Sequence, residues 1–428
     1  MEAVRYGIGI DIGTESIKAV VLSQKGQDTP AVLRVKDVSS AGVRYGEVVD
    51  LERPAGILRD LLQDLQSVLG FEIDHATVNI GGVNLLTTNT DGVIALEDSK
   101  RPIGPKDIDR LFQDAEKGRL PNNRSIIDLV PHGYTLDGQS GIKDPVGMNG
   151  QRLEMRASVI STLNPSLINL QKTLELANIS ECGLVPVAAA GSKAVLSPRQ
   201  MENGVALVDI GSSTTSVAIF EDGELQYVGV VAVEMKTGEK KSIGSNNITN
   251  DLATVLKITP EIADEIKRTY TNALGSTSGG KIEFTKGRES YSFDRVGDGE
   301  DSMGVDEIVG YRLKGILKAI HAEIARAGYT QKLPEGIVLI GGGAKIKDLS
   351  SLASRELVTA TRLGEVKNVN SAFREAFRLE YASAVGLALQ DLYSASQNAQ
   401  ANPTRKQKPS RAKSDKPLLA RLFDKIKF

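Results

Sequence analysis

The sequence predicts an α/β protein of two related lobes, and three observations carry that reading. Gly9–Thr14 reads Gly-Ile-Asp-Ile-Gly-Thr, and Leu207–Ser212 reads Leu-Val-Asp-Ile-Gly-Ser. Each copy lies between two apolar runs, so one local plan of strand, loop and second strand occurs twice. Around both copies, apolar residues alternate between strand-like runs and helical spacing, the rhythm of an α/β chain. Finally, the apolar run Gly336–Ile340 ends in Gly341, Gly342 and Gly343, whose bare backbones let a flat ring or a sugar lie close.

In each repeated turn an aspartate follows a strand of buried character, glycine permits a tight reversal with outward N–H groups, and a hydroxyl residue comes next. Such a nest attracts phosphate oxygens. The candidate residues are Asp11, Gly13 and Thr14 in one copy and Asp209, Gly211, Ser212, Ser213 and Thr214 in the other. Neither copy is a Walker loop. No Gly-Lys-Ser/Thr follows, and the chain resumes apolar runs at Ile17–Leu22 and Val217–Phe220 instead of opening a helix. One Asp-Ile-Gly alone would read as an ordinary glycine turn; two copies favour a paired phosphate site.

The first segment, to about Gly82, sets the strand pair ahead of a helix at Arg53–Leu69, where Leu58, Leu61, Leu62, Leu65 and Leu69 share one face. It closes on a strand at Ala76–Ile80. From Val83 to about Thr162, short β segments surround one helix, Lys106–Lys117, and read as an inserted α+β domain. A helix at Leu167–Ala177, a run at Cys182–Val187 and a small-residue helix from Ala188 resume the α/β rhythm, so the first lobe is discontinuous. The second lobe opens on the strand pair at Gly204–Phe220 and is interrupted by a polar, helix-rich section from about Lys240 to Lys332. It ends with Gly336–Ile340, a helix-like stretch from about Lys345, and a helix at Ser371–Tyr393 with a small-residue face of Ala382, Ala384, Gly386 and Ala388.

A length of 428 residues, 40% of them hydrophobic, provides for two or three domains with real cores. The net charge of −2 argues against a general polyanion-binding surface, and no nucleic-acid partner is expected. The single cysteine, Cys182, excludes an intramolecular disulfide and a cysteine zinc site. His75, His132 and His321 lack ligand-like spacing. With no signal-like start and no apolar stretch of about 18 residues, the bulk of the protein is expected inside the cell.

After Tyr393 the composition turns to Ser, Ala, Gln and Asn, then to a basic run with Arg405, Lys406, Lys408, Arg411, Lys413 and Lys416. Residues 394–417 therefore read as a disordered linker. Residues 418–428 place Leu418, Leu419, Leu422, Phe423 and Ile426 on one helical face, with Arg421, Asp424, Lys425 and Lys427 elsewhere. Such a basic amphipathic helix suits a lipid surface. Nearby Lys and Arg each add about 1 kcal/mol at an anionic leaflet, so a single copy is expected to bind reversibly.

Together these pieces resemble the FtsA family of actin-like bacterial division proteins over nearly the whole chain. The two turns are shared with other actin-like ATPases. More specific are Val130–Glu154, which contains Gly-Gln-Ser-Gly-Ile-Lys-Asp-Pro-Val-Gly-Met, and Ile243–Ala253, which reads Ile-Gly-Ser-Asn-Asn-Ile-Thr-Asn-Asp-Leu-Ala. The C-terminal helix looks like the family's membrane anchor.

The resemblance implies an actin-like (ribonuclease H-like) two-lobed ATPase fold. Domain 1A would cover 1–83 and 163–200, the FtsA-specific α+β domain 1C 84–162, domain 2A 201–239 and 333–393, and domain 2B 240–332. ATP with Mg²⁺ would lie in the cleft, its phosphates held by both turns. Asp11 and Asp209 would organise the metal and its water, and Lys18 would reach the β- or γ-phosphate. Gly341, Gly342 and Gly343 would back the adenosine, with Glu265 and Lys267 toward the base or ribose. The resemblance also implies self-association into filaments on the cytoplasmic face of the inner membrane at the division site. Membrane lipids would be bound by the C-terminal helix, the C-terminal peptide of the tubulin-like FtsZ by domain 2B, and later division proteins by domain 1C. Arg312, Lys314 and Lys318 mark the basic helix expected to receive the peptide.

The chain departs from the family's common Asp-Ile-Gly-Gly-Gly-Thr-Thr-Asp, reading Asp209-Ile-Gly-Ser-Ser-Thr-Thr-Ser216. Two glycines and a carboxylate are missing. Val185 stands before Pro186, where some actin-like ATPases carry a water-orienting Gln or Glu. Such residues contribute about 10²–10⁴-fold, so slow ATP hydrolysis or none is expected. The rival readings are a soluble small-molecule kinase of the same fold and an actin-like scaffold of a pilus or secretion machine.

Overall fold

The computed structural model describes residues 4–401 apart from 98–100, 118–119, 236, 239, 276–278 and 298–301. The first sheet begins with an antiparallel meander of β1 (Val4–Ile12), β2 (Ser16–Lys25) and β3 (Ala31–Ser39). A small hairpin, β4 (Val43–Arg44) and β5 (Glu47–Val48), leads to α1 (Glu52–Leu69) and then β6 (His75–Ile80), which lies parallel to β1. In α1 the expected leucine face is buried through Leu58, Leu61, Leu62 and Leu65, and Gly70 closes the helix in the left-handed conformation.

The inserted α+β domain comprises β7 (Leu86–Ala95), α2 (Pro105–Glu116), β8 (Arg124–Leu136), β9 (Gln139–Ile142) and β10 (Arg152–Leu163). Its sheet has the order β7-β10-β8-β9. Ile108, Leu111 and Phe112 of α2 pack with Leu129, Leu153 and Met155 of the sheet. Three of these strands are long, not the short segments the sequence suggested, because polar residues on their outer face interrupt the apolar pattern. The domain's base touches the second lobe. Thr87 Oγ1 donates to Val228 O at 2.6 Å and accepts from Val228 N at 3.0 Å.

The chain returns through α3 (Asn164–Leu176) to β11 (Glu181–Pro186), parallel to β6, so the first sheet reads β11-β6-β1-β2-β3. Three short helices, α4 (Val187–Ala190), α5 (Ser192–Val195) and α6 (Pro198–Asn203), cross to the second lobe. There β12 (Val205–Ile210), β13 (Thr215–Glu221) and β14 (Glu224–Glu234) repeat the meander, with β15 (Lys240–Ser242) at the edge. Helices α7 (Asn246–Leu256) and α8 (Pro260–Thr269), the hairpin β16 (Lys281–Lys286) and β17 (Glu289–Asp294), and α9 (Val305–Arg326) follow. The hairpin was hidden in a section that reads as helix-rich, because its outer face is charged and polar throughout.

β18 (Ile337–Ile340), α10 (Leu349–Leu357) and β19 (Thr361–Leu363) complete the second sheet, order β15-β14-β13-β12-β18-β19. Each lobe thus carries a three-stranded antiparallel meander, extended beyond its first strand by two further strands in parallel pairing. The glycine triplet does not open directly into a long helix: a 3-10 turn at Gly342–Lys345 precedes α10.

The last helix, α11, spans Ala382–Ala401. The expected start at Ser371 fails because Asn370 is held in extended backbone against β3, with Val32 N donating to Asn370 O at 2.8 Å and Asn370 N to Pro30 O at 2.8 Å. The helix also runs past Tyr393 into the segment read as linker. Its Ala- and Gln-rich sequence favours helix up to the residues preceding Pro403. The rest of the expected linker and the amphipathic helix with Leu418, Leu419, Leu422, Phe423 and Ile426 lie outside the described residues.

Helix α11 packs on β1 at backbone contact. A Cβ on Gly9 would lie 2.2 Å from Ala384 O, and one on Gly386 would lie 1.9 Å from Ala190 O. Gly386→Ala is therefore expected to cost about 1–3 kcal/mol by overpacking. Gly56→Ala in α1, where an added methyl meets nothing within 4 Å, should gain about 0.5–1 kcal/mol. Urea denaturation of both variants checks this; equal effects would contradict the packing described.

Candidate functional site

The duplicated meanders bring their first turns face to face. Gly13 N donates to Ser16 O at 3.1 Å in one turn, and Gly211 N to Thr214 O at 2.8 Å in the other. The two strand pairs hold Asp11 opposite Lys18 and Asp209 opposite Ser216. Ser216 thus occupies in the second lobe the place Lys18 has in the first. Between the turns lies a cavity of about 460 Å³.

Asp11 is held by Asn79 of β6. The Asn79 amide donates to Asp11 Oδ1 at 2.8 Å while its oxygen accepts from Ile12 N at 2.7 Å. Lys18 Nζ stands 3.9 Å from Asp11 Oδ2. Asp209 accepts from Ser383 Oγ of α11 at 2.9 Å. Burial, followed by the charge of Asp11, pushes the Asp209 carboxyl up to about 6. Burial also raises Asp11, with Lys18 opposing the rise. Two sequestered carboxylates therefore share one lysine, a surplus of negative charge in the floor of the cleft.

The second turn is shaped from behind by the 243–253 motif. Ser245 N donates to Gly211 O at 2.9 Å, and Asn246 N to Ser212 O at 2.7 Å. Thr14, Lys18, Ser212 and Thr214 line the cavity with the two aspartates. Of the glycine triplet, Gly342 and Gly343 line it. Gly341, at φ +87°, instead turns the strand end tightly against Asp209, and a Cβ there would lie 2.2 Å from Asp209 Oδ1. Ser213 is buried and donates across the cleft to Thr14 Oγ1 at 2.7 Å.

Lys267 reaches the cavity but is bound to Asp264 at 2.6 Å and Thr249 at 2.8 Å. Glu265 is not among the lining residues. It points to the hairpin, where it pairs with Lys286 at 2.9 Å. The neighbouring Arg268, which sequence reasoning missed, lines the cavity and pairs with Glu15 across the cleft. Helical periodicity from Lys267 did not reveal it, because its partner is 253 residues away. Lys345 and Glu380, paired at 2.9 Å, close another side of the cavity.

On α9, Arg312 is committed to Asp251 of α7 through bonds of 2.5 and 2.8 Å, which removes it from the expected basic face. Lys314 and Lys318 are exposed on that helix beside Tyr311, which is 76% exposed. Among the described residues no helix is long and apolar enough to cross a membrane.

Two lobes with a duplicated sheet plan, turned toward each other across a cleft, define an actin-like protein. Solved structures share that fold. A chain of the PilM–PilN type IV pilus biogenesis complex matches with a TM-score of 0.59 at 17% identity, covering 92% of this chain and 99% of its own. MreB5 of Spiroplasma citri bound to ADP matches with a TM-score of 0.51 at 10% identity, covering 93% and 98%.

The chain belongs to the FtsA family of cell division proteins. The family model for the SHS2 domain inserted in FtsA matches residues 82–161, and the model for cell division protein FtsA matches residues 206–386. Curated FtsA relatives include that of Pseudomonas aeruginosa, 28% identical over 92% of this chain and 91% of its own. That of Bacillus subtilis is 27% identical over 83% and 78%. Family membership sets aside the small-molecule kinase and the pilus scaffold.

Asn79 carries a testable consequence. Asn79→Ala removes the donor on Asp11 and strands the buried Ile12 N–H, which is expected to cost about 1–3 kcal/mol. Chemical denaturation reads the loss; unchanged stability would show that neither bond matters.

Proposed function

We propose that this chain binds ATP with Mg²⁺ in the cleft, assembles into filaments on the cytoplasmic face of the membrane, and tethers FtsZ filaments there through their C-terminal peptide. The observation that carries the reading is the pair of turns, each with a sequestered aspartate, that meet across one cavity in a chain of the FtsA family. The MreB5 neighbour was solved with ADP, which supports a nucleotide in this fold.

The residues fit the pair of ligands. Among the described residues no group of three or more His, Cys, Asp or Glu could hold a metal. Mg²⁺, which keeps several waters and takes one or two carboxylates plus phosphate oxygens, does not need such a cage. Asp11 and Asp209 supply hard oxygens with surplus negative charge, and the cation would neutralise it. Lys18 and the N–H groups of both turns would hold phosphate oxygens, and Gly342 and Gly343 would face the nucleoside.

Hydrolysis is expected to be slow or absent. Ser216 presents a hydroxyl where the family's common motif has a carboxylate, and Val185 stands where some actin-like ATPases carry a water-orienting Gln or Glu. Neither can act as a general base for water.

Tethering would use two separate parts of the chain. Lys314 and Lys318 form a basic face for a C-terminal peptide, which brings at least its own terminal carboxylate. The inserted domain would contact other copies and later division proteins. The tail beyond Ala401 would engage lipid, and filament assembly would turn many reversible attachments into a durable one through avidity.

Reconstitution tests this. FtsZ filaments are mixed with anionic vesicles, Mg–ATP and either the full chain, a chain ending at Ala401, or Lys314→Glu/Lys318→Glu. The full chain should carry FtsZ into the vesicle pellet. The shortened chain should leave both proteins in solution, and the double variant should pellet while recruiting about tenfold less FtsZ. FtsZ pelleting that is equal in all three mixtures would contradict the tether.

A further inference from the structure

The departure Ser212-Ser213 has a structural outcome that the nucleotide reading does not use. Ser213 is only 9% exposed, and its hydroxyl donates to Thr14 Oγ1 in the opposite lobe at 2.7 Å. Thr14 Oγ1 accepts a second bond, from Gly46 N at 3.2 Å. A hydroxyl oxygen has two acceptor sites and one hydrogen. With both acceptor sites engaged, Thr14 is fixed as a donor, and it lines the cavity.

The bond joins the two turns themselves, and other contacts beside it tie the same lobes. Gly46, at φ +76°, faces the second turn, where an added Cβ would meet Thr214 Cγ2 at an ordinary contact distance of 3.5 Å. Glu15, next to Thr14, pairs with Arg268 of α8. Lys241 of β15 stands 5.5 Å over the Tyr45 ring at the tip of the β4–β5 hairpin. A glycine at 213 has no side chain to reach Thr14. The Glu15–Arg268 pair reaches α8 and not the second turn, so without the Ser213 hydroxyl a direct link between the turns would have to come from a bound phosphate, the outermost one of a triphosphate.

Resting on the nucleotide reading, we infer that Ser213 sets the nucleotide-state specificity of the cleft. Its hydroxyl links the two turns directly, so closure does not depend on a terminal phosphate. The site then accepts a nucleoside diphosphate and a nucleoside triphosphate with similar affinity, and assembly persists in either state. Slow hydrolysis and an assembly that does not read its outcome are mutually consistent.

The test is calorimetric titration of ADP and of AMPPNP, each with Mg²⁺, into the full chain, Ser213→Gly and Ser213→Ala, with small-angle scattering of the same samples. The unsubstituted chain should bind the two nucleotides within about threefold of each other and keep one radius of gyration with either. Both variants should prefer AMPPNP by tenfold or more and contract with AMPPNP but not with ADP. Ser213→Ala keeps the Cβ, so agreement between the variants assigns the effect to the hydroxyl and not to glycine flexibility. Binding by all three proteins with one affinity ratio would overturn this inference alone. A tenfold preference for AMPPNP in the unsubstituted chain would do the same. No binding of either nucleotide by any of them would overturn the nucleotide reading, and this inference with it.

Discussion

The cleft between the lobes depends on one helix lying against one strand at backbone contact. Gly7 and Gly9 leave β1 bare where α11 crosses it, with Ala384 O, Ala388 O and the Leu392 side chain filling the space of the missing side chains. At one end of this contact Ser383 holds Asp209 of the second lobe. Two turns further on, Asp391 accepts from Ile8 N at 3.0 Å and Thr77 Oγ1 at 2.9 Å in the first lobe. A helix pinned to both lobes ties Asp209 of the second lobe to the sheet of the first. A single added methyl in the contact would displace the helix from the strand, because packed interiors cannot absorb such volume without displacement.

From that geometry follows the electrostatics of the cleft. The same fold duplication that supplies two aspartates supplies only one lysine, since Ser216 stands where the second would be. Polar support is local and specific: an amide for Asp11, a hydroxyl for Asp209. The carboxylates are oriented but only partly neutralised, by Lys18 at 3.9 Å from Asp11, and this unspent charge is what the proposal of a hard cation carried in with phosphate rests on. The remaining cations of the cavity already have carboxylate partners, Lys267 with Asp264, Arg268 with Glu15 and Lys345 with Glu380. They shape the walls more than they attract ligand.

Much of this was legible in the sequence, where the information was local. Both turns, the leucine face of α1, the helix of the inserted domain and the strand before the glycine triplet follow from spacing and turn chemistry. The third strand of each meander was not singled out. β3 carries Arg34, Lys36 and Asp37 among its apolar residues, and charged positions weaken a strand pattern. Contacts between lobes were beyond reach, because Ser213 with Thr14 and Arg268 with Glu15 are separated by 199 and 253 residues. Arg312 shows the converse. Its charge was visible, but not the Asp251 that consumes it.

The central claim is that both turns grip one ligand. Hydrogen exchange followed by mass spectrometry, on the full chain with and without Mg–ATP, reads the two turns as separate peptides in one experiment. The account predicts that residues 11–16 and 209–214 become protected together and at the same ligand concentration. Protection of one turn alone, or of neither, would contradict a nucleotide held between the lobes.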